Sequence, residues 1–300
     1  MPTIKMHENE IQTSPGLVRR LLAAQFPQWA GLPIRRVSST GTDNAIYRLG
    51  DQLAVRLPRI DWATGQIAKE AEWLPRLAGR LPLEVSTQVA QGRPGEGYPW
   101  AWAIYRWIEG ESALLARLAN PVEEARRLAA FVRALQQIDP SGGPDAVALG
   151  LRGGPLSRRD VETRAAIESM AGLGLLERNA ALGIWQAALA APAWRGAPVW
   201  FHGDLMAGNV LVRDGRIAAV IDFSALGVGD PAIDLMIAWH LFEGESRAAF
   251  RAALAVDEAT WVRGRGLALS VAVIYIPYYL ESNPHGVTSV SRMLAGALAG

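Results

Sequence analysis

At 300 residues, half of them hydrophobic, the chain is long enough for two lobes with a sizeable core and short for two independent enzymes. A formal net charge of +1 excludes a nucleic-acid binder that relies on a broad basic field, and the lack of cysteine excludes disulfides, thiolate chemistry and zinc–thiolate sites. The four histidines, His7, His202, His240 and His285, show no metal-ligand spacing, and of 30 basic residues only Lys5 and Lys69 are lysines.

The opening MPTIKMHENE has no apolar run behind basic residues and is not read as a signal peptide. Residues up to about Ala30 read as an amphipathic helix with Leu17, Leu21, Leu22 and Phe26 on one face. Residues 35–58 read as β-hairpin material: Ile34 to Val37, a polar loop from Ser38 to Asn44, a strand to Leu49, a Gly50-Asp51 turn, and a strand from Leu53. Helical spacing follows at Ile67, Leu74 and Leu77, and Trp100 to Ile108 is a strongly apolar β segment. Beyond Gly110 the pattern turns helical. Leu128, Phe131, Val132, Leu135 and Ile138 make a one-faced stripe over residues 123–139, with Pro121 at the helix start. A Gly/Pro-rich loop spans residues 141–155, and helices are expected over residues 160–171, 175–190, 233–242, 246–255 and 258–280. Residues 267–280 are apolar but carry Pro277 and fall short of the roughly 20 residues that span a bilayer. No membrane association is expected, and a soluble cytoplasmic protein fits best.

The most informative segment is VWFHGDLMAGNVLVRDGRIAAVIDFSALGVGDPAIDL, residues 199–235. Val199-Trp200-Phe201 runs into His202-Gly203-Asp204, Val210-Leu211-Val212 follows Asn209, and an apolar strand leads into Asp222. Asp214-Gly215 is a hairpin signal, so Asn209 and Asp222 are expected close together on neighbouring strands. Such oxygen donors suit a hard divalent cation such as Mg²⁺, held by one or two protein groups plus substrate phosphates. Asp204, upstream of both, is placed to accept a proton from an attacking hydroxyl. No P-loop, G-x-S-x-G or H-E-x-x-H pattern is present.

This set resembles the aminoglycoside phosphotransferase and choline kinase family, relatives of the protein kinases. The family's H-G-D-x-x-x-x-N stands here as His202-Gly203-Asp204 with Asn209, its I-D-F/W as Ile221-Asp222-Phe223, and its G-D-P-x-x-D-L as Gly229 to Leu235. The resemblance implies an α+β fold of protein-kinase type: a small β-rich nucleotide-binding lobe over residues 1–108, with a hinge strand near Trp100 to Trp107, and a larger, mostly helical catalytic and acceptor-binding lobe over residues 109–300. It implies Asp204 as catalytic base, Asn209 and Asp222 as Mg²⁺ ligands, His202 as structural, and Asp230 and Asp234 as braces of the catalytic loop. It also implies ATP, with GTP open, bound under the Ser38 to Asn44 loop by Thr40, Gly41, Thr42 and Asn44. The strand cation aligned with the kinase lysine is Arg56, with Glu70 as its helix partner, Glu72 the rival partner and Lys69 the substitute cation. Arg106 and Ile108 would bond the adenine edge through their backbone.

Gly203 before Asp204, and the short run from Phe223 to Gly229, leave no room for a phosphorylatable activation segment, so the expected acceptor is a small hydroxylated molecule. An aminoglycoside-type antibiotic or related metabolite leads; macrolide, choline and homoserine kinases, and a non-catalytic nucleotide-binding regulatory module, are the alternatives. Residues 1–110 carry 13 Arg/Lys against 10 Asp/Glu, whereas residues 224–300 carry 5 against 7, an excess of acid too small to demand a polycation. Asp160, Glu168, Glu243, Glu245 and Glu281 are the acidic candidates for the acceptor pocket. Trp239, Trp261, Tyr275, Tyr278 and Tyr279 offer material for an aromatic cage. The oligomeric state is left open.

Overall fold

In the computed structural model, which describes residues 5–38 and 41–300, the change from β-rich to helical sequence resolves as two units. One comprises Met1–Gly79 and Glu84–Glu109, the other Arg80–Leu83 and Gly110–Gly300. The chain has the α+β, kinase-like architecture, with an N-terminal sheet region and a larger helical part.

The first unit opens with α1 (Pro15–Gln25), where the Ser14 hydroxyl accepts the Leu17 N–H and proline occupies the first helical position. The helix is shorter than its periodicity suggests. Pro27 cannot continue it, and a separate 3₁₀ turn follows over Pro27–Trp29. A five-stranded antiparallel sheet runs in the order β1 (Ile34–Arg36), β2 (Asn44–Leu49), β3 (Leu53–Pro58), β6 (Trp102–Arg106), β5 (Gln88–Gly92); β4 (Glu84–Val85) is a further short strand. Ala45, Tyr47 and Leu49 of β2 alternate inward and pack with Val55, Leu57, Trp102, Ile104 and the apolar face of α1. The other face of β3 and β6 meets α2 (Thr64–Leu77), where Ile67 packs with Ala103 and Tyr105. Ile67, Glu70, Trp73, Leu74 and Leu77 share the buried stripe of α2, so a carboxylate sits where the helix is otherwise apolar.

The second unit carries β7 (Glu111–Ser112), α3 (Pro121–Gln136), α4 (Asp160–Gly172), α5 (Arg178–Ala190), β8 (Val199–Phe201), β9 (Val210–Arg213), β10 (Arg216–Val220), β11 (Gly227–Gly229), α6 (Ile237–His240), α7 (Gly244–Leu254), α8 (Glu258–Tyr279) and α9 (Pro284–Ala299). The β9–β10 hairpin turns at Asp214 and Gly215, both with positive φ, and β8 pairs with β11. Buried Glu124 of α3 accepts the Ile217 N–H at 2.7 Å and fastens that helix to β10. Helix α8 runs through the core against α4, α5 and α9. Its Gly266 permits the close approach, since a Cβ there would stand 2.2 Å from that of Ala188. No helix among the described residues is long and apolar enough to cross a membrane. Residues 233–242 form no single helix: capped by Asp230, the chain winds as a buried 3₁₀ segment over Pro231–Met236 before the short α6. Helix α5 begins three residues later than its apolar pattern, because the Glu177 carboxylate caps it by accepting from the Asn179 and Ala180 N–H groups.

Candidate active site

The loop after β8 is held from beneath by a fully buried carboxylate. Asp234 accepts the backbone N–H groups of His202 at 2.7 Å and Gly203 at 2.8 Å. Burial pushes its carboxyl above the ordinary value, while His202 and the two N–H groups pull the other way. Gly203 has φ +81°, and a Cβ there would lie 2.3 Å from the Ala225 carbonyl oxygen, so no side chain fits. The next residue is Asp204, which the turn lifts clear of the core.

His202 ties this loop to the strand leading into Asp222. Its Nδ1 accepts the Asp204 N–H at 3.2 Å, which leaves the ring hydrogen on Nε2 to be donated to the Ile221 carbonyl at 3.0 Å. Phe223 backs the ring at a centroid distance of 4.6 Å. A second imidazole holds the far side of the loop. His240 Nδ1 accepts the Ala207 N–H at 3.3 Å, so its Nε2–H points at the Ser289 hydroxyl at 2.9 Å. Burial drives the His240 pKa down to about 4.

Asn209 Nδ2 donates to both the Asp204 carbonyl at 2.9 Å and Asp204 Oδ2 at 3.1 Å. The Ile221 N–H donates to the Asn209 carbonyl at 2.9 Å, which sets Asn209 and Asp222 at the same end of the β9–β10 hairpin. Asp222 adopts a left-handed conformation, φ 62° and ψ 71°, and its Oδ1 accepts the Ser224 N–H. Asp204 Oδ1 meets Arg152 Nη1 at 2.5 Å, a contact between residues 52 apart that no local pattern announces. The Asp222 carboxylate and the Asn209 amide oxygen are hard oxygen donors that fit Mg²⁺. Among the described residues no group of three His, Asp or Glu side chains could hold a metal. Asp230 does not brace the loop as expected. It accepts from Arg263 Nε at 2.8 Å and from the Ala232 N–H at 2.9 Å, because buried Arg263 on α8 claims the carboxylate.

In the first unit, Arg56 on β3 donates from Nη1 to Glu70 Oε1 at 2.9 Å and from Nη2 to Gln66 Oε1 at 2.9 Å. The Tyr105 hydroxyl of β6 donates to Glu70 Oε2 at 2.6 Å. Glu72 is exposed on α2, and Lys69 is half-buried beside Glu70. Asn44 donates to Gln66 at 3.2 Å, and its Oδ1 is buried without a partner among the described residues. Gly41 is exposed, Thr42 donates its hydroxyl to Asp43, and Thr40 lies outside the described residues. The Arg106 N–H is taken by the Thr87 carbonyl, and Ile108 is buried.

The acceptor candidates fare differently. Asp160 is held by Arg164 and Trp185, and Glu168 by Arg178, each contact lowering the carboxyl's pKa. Glu243 caps α7, and Glu245 and Glu281 are exposed. The aromatic candidates do not form one cage: buried Trp239 stacks on Trp261, which Arg251 also covers, while Tyr275, Tyr278 and Tyr279 cluster separately at the end of α8. Arg152, Gln66, Tyr105 and His240 escaped the sequence reading. Only Gln66 left a signal, four residues before Glu70 on one helical face.

The profile of the phosphotransferase enzyme family, which takes in the aminoglycoside phosphotransferases, matches residues 34–267. No curated protein matches the chain in sequence. Among solved structures, the GDP complex of wild-type aminoglycoside 2'-phosphotransferase-IIIa is similar at 19% identity and a TM-score of 0.73, covering 96% of this chain and 99% of that one. The streptomycin–ATP ternary complex of APH(2'')-IIa follows at 20% identity and 0.61, with 95% and 98% covered. The macrolide 2'-phosphotransferase MphH from Brachybacterium faecium follows at 22% and 0.61, with 93% and 97% covered. At these identities the likeness is one of fold. The family match extends over most of the chain and takes in both the Arg56–Glu70 pair and the Asp204 loop, and the chain belongs to the phosphotransferase enzyme family.

Proposed function

We propose that the chain transfers the γ-phosphoryl group of a nucleoside triphosphate to a hydroxyl of a small molecule, with Asp204 as the base. The supporting observation is the loop from His202 to Asn209. Asp234, His202 and His240 pin its backbone, Asn209 orients one Asp204 oxygen, and Asp222 stands at the same hairpin end. A positioned base and charge neutralisation are what a loose phosphoryl-transfer transition state requires.

In this reading the acceptor O–H gives its proton to the Asp204 carboxylate as its oxygen bonds the γ-phosphorus. The bond from that phosphorus to the bridging oxygen breaks, and the nucleoside diphosphate leaves. Mg²⁺, held by Asp222 and the Asn209 amide oxygen, would neutralise phosphate charge. Arg56, fixed by Glu70 and Gln66, offers its fork to the nucleotide phosphates, and residues 1–108 serve nucleotide binding while residues 109–300 serve catalysis and the acceptor. Ile108 meets the base through its backbone, Arg106 having given its own N–H to the Thr87 carbonyl, and Gly41, Thr42 and Asn44 flank the phosphates; the unpartnered Asn44 Oδ1 supports a polar ligand there. ATP is the expected donor with GTP as competitor, in the cytoplasm where both are abundant.

For the acceptor, the aminoglycosides and macrolide named for the structural neighbours define the first panel. The test is nucleotide consumption by the purified protein against aminoglycosides, macrolides, choline, homoserine and sugars. Turnover that needs an acceptor and is lost in Asp204→Asn, with nucleotide binding retained, supports the reading. Nucleotide binding with no Asp204-dependent turnover against any acceptor or water would return the chain to the regulatory-module class.

A further inference from the structure

The side chain closest to the proposed base is a cation. Arg152 Nη1 lies 2.5 Å from Asp204 Oδ1, and its place is built into the loop between α3 and α4. The Asp230 N–H donates to the Gly153 carbonyl, the Leu151 N–H to the Ala146 carbonyl, and the Ala146 N–H to the Val228 carbonyl. Gly153 lies flat on Phe201 of β8, where a Cβ would stand 2.2 Å from the ring. Arg152 is therefore delivered to Asp204 by a clamped backbone and does not wander in from solvent.

Its guanidinium has five N–H donors and gives one of them to Asp204, while 42% of the side chain stays exposed. An ion pair so open to water is weakly held, so a second anion can share or displace Asp204 on the fork. Arg159, half-buried and bonded to Ser270, has its pKa lowered first by desolvation and then by repulsion from Arg152. Glu162 offsets part of the charge on Arg159, while Asp160 and Glu168 are bound to arginines of their own. A polycation approaching Asp204 would meet guanidinium first.

We propose that Arg152 recognises an anionic group, a carboxylate or phosphate carried near the phosphorylated hydroxyl, so that the acceptor is a hydroxylated anion and not a polycation. This rests on the phosphotransferase reading with Asp204 as base. Arg152 is a specificity residue: it holds the acceptor's anion while Asp204, released from the pair, faces the hydroxyl.

The test compares the parent with Arg152→Gln and Arg152→Lys on three acceptor classes: hydroxycarboxylates and sugar phosphates, neutral polyols, and aminoglycosides. Malonate binding is followed by calorimetry as a probe that needs no turnover. The parent is expected to favour the anionic acceptors. Arg152→Gln raises their KM by about tenfold or more, the scale of one charge-assisted hydrogen bond, and weakens malonate to the same degree. The loss for anionic acceptors exceeds that for neutral polyols by about tenfold, and Arg152→Lys restores part of the anion preference. Aminoglycosides as best acceptors of the parent, or an equal loss in Arg152→Gln for every acceptor, would overturn the assignment. If no acceptor is turned over, malonate decides: Arg152-dependent binding supports the site, and none removes it. Absence of Asp204-dependent turnover with every acceptor and with water counts separately, against the phosphotransferase reading itself.

Discussion

Acid should draw down the stability of the fold through His240, which holds the loop from His202 to Asn209 only while its ring is neutral. Protonating His240 would put hydrogens on both ring nitrogens, and Nδ1 could no longer accept the Ala207 N–H. Burial holds the folded-state pKa near 4 against an ordinary value of 6.5, so between these values the unfolded chain binds the proton more tightly. Stability is therefore intact above pH 6.5 and drains as the pH falls. Linkage puts the loss at about 2 kcal/mol by pH 5 and about 3 kcal/mol at its limit. His240→Gln keeps an acceptor for Ala207 and a donor for Ser289 but does not titrate. Urea unfolding followed by tryptophan fluorescence at about pH 7.5 and pH 5 gives the comparison: the parent should lose about 2 kcal/mol more than the variant. Parallel losses in the two proteins would refute the reasoning, because they would show that His240 does not resist protonation in the fold.

Asp204→Asn should keep nucleotide binding and lower turnover by on the order of 10²-fold or more, the usual scale for a positioned base, in single-turnover assays. Asp222→Ala should make calorimetric ATP binding insensitive to Mg²⁺; a parent-like Mg²⁺ response would put the metal elsewhere. Arg56→Ala should raise the nucleotide KM and lower kcat, with Arg56→Lys partly active; a silent Arg56→Ala beside a crippled Lys69→Ala would reverse that assignment. Gly203→Ala should cost roughly 2 kcal/mol or more in denaturant unfolding, since it forces both a left-handed alanine and a clash with the Ala225 carbonyl.

The parts legible in the sequence are those whose partners lie nearby. Asp214-Gly215 announces the hairpin that brings Asn209 and Asp222 to one end, and the spacing of Ile67, Glu70, Leu74 and Leu77 already puts Glu70, not Glu72, on the buried side of α2. Partner choice over distance is not legible. Asp230 and Asp234 belong to one short motif, yet Arg263 takes the first and the His202-Gly203 backbone takes the second. Arg152 reaches Asp204 only because Gly153 lies on Phe201, a fact of packing and not of pattern. The helix expected over residues 233–242 fails for the same reason: its residues are apolar on every side because the segment is buried all round, which hides the 3₁₀ winding.

Glu70 is the point where three elements of the first unit meet. Fully buried, it is gripped by Arg56 from β3 and Tyr105 from β6, so moving α2 away would break both contacts at once. Removing one partner of such a buried pair by mutation costs on the order of 3–5 kcal/mol, because the other charge stays buried. Helix α2 is thus fastened to β3 and β6 at this point. The orientation of the Arg56 guanidinium is a property of the folded sheet and helix together, fixed by side chains that none of its sequence neighbours supplies.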